Sequence, residues 1–531
     1  MEFYLSFSTL LVTTLLFVLP PTLIFYLFDK NRAANTKPPH ARGAWPIIGH
    51  LPLLSGTELP HKILGDMADE YGPIFTIKLG FQQALVVTSG EMAKECFTTN
   101  DKAFASRPKA QAYELMSYNY AVLVFTPYGD YWRRLRKTMM LEVLCQRQVE
   151  KLESIRVSEL RASINSIYVA WVKKKDSKNP DYMVKLEMNQ WIGELILNIM
   201  IRIVSGKRFS ANDEEGVRFQ EVIRKYFELL GAFVVSDFIP ILKCLDVDGY
   251  KKPMKKVAKE LDDILDGWLK EIKIKRNSAK EQQQEGDQVF MNVLVSILER
   301  SSEDDFPGFD HDTIVKATCH QIITAGLDMT SATLTWAVTL LLNNPITLAA
   351  AQAEIDEHVG RERLVEEADM KNLVYIEAII KETMRLYPAA PLAAPPESIS
   401  DCILGGYTVP KGTRLLVNIS KIHRDPNIWS YPKEFQPERF LTNQKHIDDK
   451  GQHFELFPFG SGRRMCPGAA MAFQEMRFTL ASLIQQFVLK KPSQEPYDLA
   501  ESNGITICKK TPVEVLLAPR LSHTMYGTIN E

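Results

Sequence analysis

Apolar positions along the chain fall into three kinds of run, each predicting a different element. The first, Phe3 to Phe28, is 26 residues without a charge, long enough to cross a hydrocarbon layer of about 30 Å even with Pro20-Pro21 inside it. The second kind is helical. From about Asp312 to Leu342 runs an apolar helix of roughly 45 Å at 1.5 Å per residue, capped by Asp310 or Asp312 and ended by Asn343-Asn344-Pro345. A shorter helix spans about Met370 to Leu386, halted by Pro388, and another Ala469 to Phe487. The third kind is short and β-patterned: Ile74 to Leu79, Ala84 to Val87 and Arg414 to Asn418. Between helices, Lys273 to Asp287 is rich in Lys, Gln and Glu and reads as a disordered surface link. The expected fold class is therefore mainly α with small β-sheets (α+β).

The charge around the first run sets its orientation. Only Glu2 and the α-amino group precede it, while Lys30, Arg32, Lys37 and Arg42 follow. It therefore reads as an uncleaved, single-pass anchor with the remainder cytosolic, and Glu2 in place of a basic n-region argues against a signal peptide. The expected division is an anchor at 1–29, a basic, proline-rich hinge at 30–50 and one large domain at 51–531. A net charge of −2 gives no nucleic-acid signature, and no glycine fingerprint for a nicotinamide or flavin is present. Electrons for any redox chemistry must come from a partner. The seven cysteines are scattered without zinc spacing, as reduced cytosolic thiols would be, and the sequon Asn418-Ile419-Ser420 lies on the wrong side of the membrane for glycosylation.

One loop carries the chemistry: Phe459-Gly460-Ser461-Gly462-Arg463-Arg464-Met465-Cys466-Pro467-Gly468. A thiolate ligand to haem iron needs close backbone approach to a flat macrocycle, amide donors to temper the sulfur, and shielding from water. Gly462 and Gly468 permit positive φ and close approach. The helix after Gly468 sets its positive N-terminal end near the sulfur, so the thiolate is expected to be stabilised before iron arrives. Arg464 is placed to meet an acidic propionate and Phe459 to cover the sulfur side. Against the alternative of an ordinary buried thiol, chance occurrence of F-x-x-G-x-R-x-C-x-G at any of seven cysteines is on the order of 10⁻⁵ to 10⁻⁴, so coincidence loses.

This pattern resembles the cysteine loop of the cytochrome P450 superfamily, and the resemblance extends over essentially the whole chain. Glu382 and Arg385 share a helix face at i and i+3, and Phe435-Gln436-Pro437-Glu438-Arg439-Phe440 matches F-x-P-E-R-F, whose arginine (Arg439) joins that pair in a buried ion network. Trp132 and Arg136 fit W-x-x-x-R, whose side chains hold haem propionates. The family fold with its N-terminal transmembrane helix, haem b ligated by Cys466, dioxygen, and electrons from NADPH through cytochrome P450 reductase are all implied. The basic residues Arg133, Arg134, Arg136, Lys137 and Arg463 either face that reductase or form an ordinary solvated charged surface.

Two departures stand out. Ala325-Gly326-Leu327-Asp328-Met329-Thr330 aligns with A/G-G-x-D/E-T-T/S, in which the acid and the following threonine relay protons on the distal side; here Met329 replaces that threonine. Protons must then come by way of ordered water, Asp328, Thr330 one step along, or a polar substrate group. After Pro395, where many relatives carry an arginine or histidine that reaches a propionate, this chain has Pro396. By resemblance the pocket is lined by Ser106 to Thr126, Cys319 to Asp328, Ala389 to Pro395 and Ser502 to Thr506, all mostly apolar, which suits a small hydrophobic molecule. The resemblance is to plant endoplasmic-reticulum members such as nicotine N-demethylase, alkaloid hydroxylases, flavone hydroxylases and homoterpene-forming enzymes. A monooxygenase of specialised metabolism is expected, with an alkaloid oxidised beside nitrogen or hydroxylated at carbon as the leading substrate and a flavonoid or terpenoid as the alternative. A haem-thiolate isomerase or dehydratase, and a catalytically silent haem protein, are the readings from other classes.

Overall fold

The computed structural model describes residues 37–174, 182–209, 213–244, 246–281, 289–448 and 451–526. The expected anchor at 1–29 lies outside these residues, as does the hinge before residue 37. From Pro39 onward the connector is not a free spacer but adds itself to a sheet edge: Thr76 N–H donates to Pro39 O at 2.7 Å, Ala41 N–H to Thr76 O at 2.9 Å and His50 N–H to Lys78 O at 2.7 Å.

The strands form three small sheets. β1 (Ile74–Leu79) and β2 (Gln82–Val87) pair antiparallel, and β6 (Arg414–Val417) joins β2 in parallel, with Ala84 opposite Arg414 and Val87 opposite Val417. β3 (Val184–Glu187), β8 (Glu514–Pro519) and β7 (Phe487–Lys490) make a second, antiparallel sheet, and β4 (Cys402–Leu404) with β5 (Tyr407–Val409) a hairpin. The rest is helical: α1 (Asp130–Thr138), α2 (Met188–Ser205), α3 (Glu214–Leu230), α4 (Lys251–Glu281), α5 (His311–Asn343), α6 (Val374–Leu386) and α7 (Ala469–Gln486) carry the argument below.

α5 is the spine of the fold. Its N-cap is Asp310, whose carboxylate accepts from Thr313 N–H at 2.9 Å, and it stops at Asn344 before Pro345. Among the described residues it is the one helix long and apolar enough to cross a membrane, yet most of it is buried inside the protein, as a core helix must be. α2 packs so closely on it that a Cβ added to Gly326 would lie 2.5 Å from Met200 Sδ. At its far end Trp336 stacks on Tyr387 with ring centroids 3.9 Å apart and donates to Ile507 O at 3.1 Å, tying the C-terminal turn to the core.

Three sequence expectations shift. Lys273 to Glu281 continues α4 as helix, because Lys, Glu and Gln are good helix formers and the apolar face persists through Ile272; residues 282–287 of that stretch lie outside the described set. Met370 belongs to a separate 3-10 turn (Glu367–Lys371), and α6 begins at Val374, where Glu354 from a neighbouring helix accepts from Tyr375 N–H at 2.6 Å and Ile376 N–H at 3.0 Å. This tertiary cap replaces the local one that sequence signals would have shown. Phe487 leaves α7 with extended φ and ψ and starts β7.

Removing the cap of the spine, Asp310→Ala, is expected to cost about 1 kcal/mol of stability, measured as a shift in the denaturant midpoint without a change in slope.

Candidate functional site

The Cys466 loop is held from behind by a continuous chain of hydrogen bonds. Glu382 on α6 is fully buried and forms a two-pronged pair with Arg385, at 2.7 and 2.8 Å, while its Oε1 also accepts from Gln436 N–H at 2.9 Å and Arg439 Nε at 3.1 Å. Arg385 donates further to the carbonyls of His423 at 3.0 Å, Pro432 at 2.8 Å and Glu434 at 3.2 Å. Both guanidiniums lie over the Trp429 ring, 5.1 and 5.8 Å from its centroid. His423 is pushed down to about 3 by burial and by the charge of Arg385. It is therefore neutral, and its Nε2 accepts from Phe457 N–H at 3.0 Å. Phe457 O in turn takes Gly460 N–H at 2.9 Å, and Phe459 O takes Cys466 N–H at 2.9 Å.

Within the loop, Gly462 adopts φ +68°, and a Cβ there would lie 2.5 Å from Asp101 Oδ1 and 2.9 Å from Phe97 O, so glycine is required on both counts. Gly468 differs from expectation: its φ is −96°, an ordinary value, and it serves instead by leaving space, since a Cβ there would meet nothing within 4 Å. The sulfur itself is desolvated. Burial pushes the Cys466 thiol up, and the Gly468 N–H and the Arg136 charge only partly draw it back.

Beside the sulfur lies a cluster of positive charge, Arg107 buried and Arg136 and Arg464 half-buried. Arg464 is pulled down to about 8 by burial and by the neighbouring charges of Arg107 and Arg136. Arg107 is pulled down to about 10 and Arg136 is also lowered, both chiefly by burial. None of the three forms an ion pair with a carboxylate among the described residues. Arg464 lies 4.6 Å over the Trp132 ring and donates to Ala105 O and Thr126 O at 2.6 Å each. Arg107 donates to Val124 O at 3.0 Å and Ala394 O at 2.8 Å. Three desolvated cations without a counter-ion fit a ligand bearing two carboxylates, as haem b does. Arg107 was not singled out from the sequence; in Phe104-Ala105-Ser106-Arg107-Pro108 nothing local distinguishes it from a surface cation. It reaches the segment where Pro396 offers no cation. Of the basic residues expected to face a reductase, Arg133 pairs with Asp130, Arg134 with Asp305 at 2.5 Å and Arg463 with Asp101 at 2.9 Å.

On the opposite side, Ala325 is exposed in the middle of α5 although most of that helix is buried, so it borders an internal groove. Met329, one turn on, shares that side. Thr330 is only 3% exposed and points about 100° away from Met329 around the helix. Asp328 is pushed up to about 6 by burial, against which the hydroxyl of Thr506 holds it down. Thr506, on the C-terminal turn, donates to Asp328 Oδ2 and lies 3.6 Å from Met329 Sδ. The four segments expected to line the pocket do converge: Val124 N–H donates to Gln321 on α5 at 3.2 Å, Arg107 bridges to Ala394, and Ile507 N–H donates to Ala389 O at 2.9 Å.

A helical body that holds a thiol beneath open space, an uncompensated cation cluster at one edge and a grooved helix across from it defines a haem-thiolate oxygenase. The chain belongs to the cytochrome P450 family: the family profile "Cytochrome P450" matches residues 38–517. It is 49% identical to strychnine-10-hydroxylase of Strychnos nux-vomica, over 93% of each chain. It is 48% identical to demethylepipodophyllotoxin synthase of Sinopodophyllum hexandrum, over 95% of this chain and 96% of that one. It is 45% identical to flavonoid-6-hydroxylase of Mentha piperita, over 98% and 100%. A zebra fish cytochrome P450 solved with progesterone superposes with a TM-score of 0.71 at 25% identity, covering 87% of this chain and all of that one. The protein is accordingly a cytochrome P450 monooxygenase that uses haem b, with electrons from NADPH through a reductase, and its relatives are plant hydroxylases of specialised metabolism. A membrane setting is typical of this family.

Glu382→Ala and Arg385→Ala each leave a buried charge unpaired and are expected to cost about 3–5 kcal/mol. Both variants should yield protein with little bound haem, scored by the pyridine haemochrome assay; normal haem content in either would contradict the role drawn for the network.

Proposed function

We propose that Cys466 would ligate the haem iron through its sulfur and that Trp132, Arg136, Arg464 and Arg107 would hold the propionate edge. When bound, the haem supplies the oxygen-activating redox chemistry. The chain's own residues do the rest: Phe459 and Gly468 shape the space around the sulfur, the Glu382–Arg385–Arg439 network fixes the segment from which the loop hangs, and the groove beside Ala325 and Gly326 orients the substrate and excludes bulk water. The observation that carries this reading is the cluster of three desolvated arginines, Arg107 buried and Arg136 and Arg464 half-buried, without a carboxylate partner among the described residues, set beside a cysteine whose loop leaves open space at Gly468. Residues 1–29 are taken as a single-pass anchor in the endoplasmic reticulum membrane, 30–50 as the hinge and 51–531 as the cytosolic catalytic domain, supported by the uncharged run Phe3 to Phe28 and the cations after it.

For substrate, we infer a polycyclic, largely apolar plant metabolite, with an alkaloid as the leading class. The similarity to strychnine-10-hydroxylase supports this. So does Met329, because oxidation beside an amine nitrogen asks least of a proton supply that lacks the usual threonine. A flavonoid is the second reading, favoured by the similarity to flavonoid-6-hydroxylase.

Two measurements test these readings. Reduced protein under carbon monoxide should show an intense Soret band near 450 nm that Cys466→Ala abolishes; persistence of the band in the variant would remove Cys466 from the iron. In a panel of alkaloids, flavonoids and terpenoids supplied with reductase and NADPH, turnover should be highest among the tertiary amines, and reaction of phenolics or terpenoids alone would overturn the alkaloid reading.

A further inference from the structure

The loss of a threonine from the middle of α5 raises the question of which hydroxyl, if any, stands in its place. Met329 carries no O–H, and Thr330 is buried on another side of the helix. One hydroxyl does sit against this spot, and it comes from a distant part of the chain: Thr506 Oγ lies 3.6 Å from Met329 Sδ and is hydrogen-bonded to the carboxylate of Asp328. The turn that presents it is pinned on both sides. Ile507 donates to Ala389 O at 2.9 Å and accepts from Trp336 at 3.1 Å, so Thr506 is held against α5 by backbone and not by its own side chain alone.

Behind Asp328 opens a solvent cleft of about 350 Å³, whose wall includes Gln190, Glu194, Gln220, Arg224, Ser331 and Cys508. Asp328 thus has two faces, one on this cleft and one on Thr506. Ser331, beside it on the cleft wall, has a buried hydroxyl with no hydrogen-bond partner among the described residues. Burial keeps the Asp328 carboxyl within reach of neutral pH. The charged and titratable groups around it are Glu194 from α2, Arg224 from α3 and Cys508 from the C-terminal turn.

We propose that Thr506 replaces the missing α5 alcohol and, with Asp328, forms a two-residue proton relay running from the cleft between α2, α3 and α5 to the groove beside Ala325. This deepens the monooxygenase reading above and rests on it. In the arrangement seen, the hydroxyl donates to the carboxylate. When the carboxylate takes a proton from cleft water, the bond reverses: Asp328 donates to Thr506 Oγ, and the hydroxyl's own proton leaves toward the groove. The carboxylate is then free to be recharged from solvent, so each cycle moves one proton and leaves both residues unchanged. The alcohol function has moved from the helix to the C-terminal turn, with the acid left where it was.

The test uses the full-length, haem-loaded protein with two readouts. In the first, the infrared carboxyl band of Asp328, assigned by its loss in Asp328→Asn, is titrated without turnover. Thr506→Val removes a hydrogen bond to the charged form and should raise the midpoint by about half a unit or more, while Thr506→Ser should leave it near the parent value. In the second, peroxide released per NADPH consumed with reductase should rise about threefold or more in Thr506→Val, stay near the parent in Thr506→Ser, and return to the parent in Met329→Thr/Thr506→Val, where the helix regains its own hydroxyl. An unmoved band in Thr506→Val, or a double variant as leaky as Thr506→Val, would overturn the relay. If Thr506→Val loses the band near 450 nm, Thr506→Ala carries the same comparisons. Failure of the substrate panel with the expected infrared shift would count against the substrate reading and leave the relay standing.

Discussion

The neutral His423 and the buried guanidinium of Arg385 together determine where the sulfur lies. A fully buried cation is tolerated only when every donor is met, and Arg385 achieves this with one carboxylate and the carbonyls of His423, Pro432 and Glu434. Burial, and with it the charge of Arg385, keeps His423 unprotonated, so that Nε2 can accept from the backbone of Phe457. From Phe457 the turn through Gly460 and the Phe459–Cys466 bond sets the cysteine. An ion network on α6 is thereby converted into the position of a thiol some eighty residues later, and loss of any member would loosen the whole series.

The cation cluster on the other side of the loop has a different logic. Arg385 and Arg439 share a protein carboxylate; Arg107, Arg136 and Arg464 do not. Desolvation, and after it the field of the other two, opposes the charge of Arg464 and pulls it well below its usual range. Such an arrangement is unfavourable in the protein alone; under the proposed placement of haem it would become favourable on binding, coupling cofactor binding to the stability of the loops at 104–126 and 459–468. Burial raises the Cys466 thiol in the same desolvated surroundings.

α5 reconciles two demands. As the spine it must be apolar and closely packed, and Gly326 meets that demand by letting Met200 approach. As the wall of a reactive groove it must carry an acid, and Asp328 is placed where one oxygen meets a hydroxyl and the other side meets a wet cleft. A methionine next to that acid is good packing and poor chemistry, so the chemistry depends on what the C-terminal turn brings across.

Much of this was legible in the chain itself, and the reason is local. The cap and stop of α5, the β-runs, and the Glu382–Arg385 spacing are determined by residues within a few positions of one another, and the Cys466 loop carries its glycines and arginines in one short run. What only the tertiary structure decided involves partners far apart in sequence. The start of α6 is set by Glu354, the uncompensated charge beside the sulfur by Arg107, and the hydroxyl against Met329 by Thr506, 177 residues away. Even Gly468, whose identity the sequence makes conspicuous, turned out to provide room and not an unusual φ. Periodicity and motifs report what a residue does to its own segment, whereas burial and pairing across segments exist only once the chain has folded.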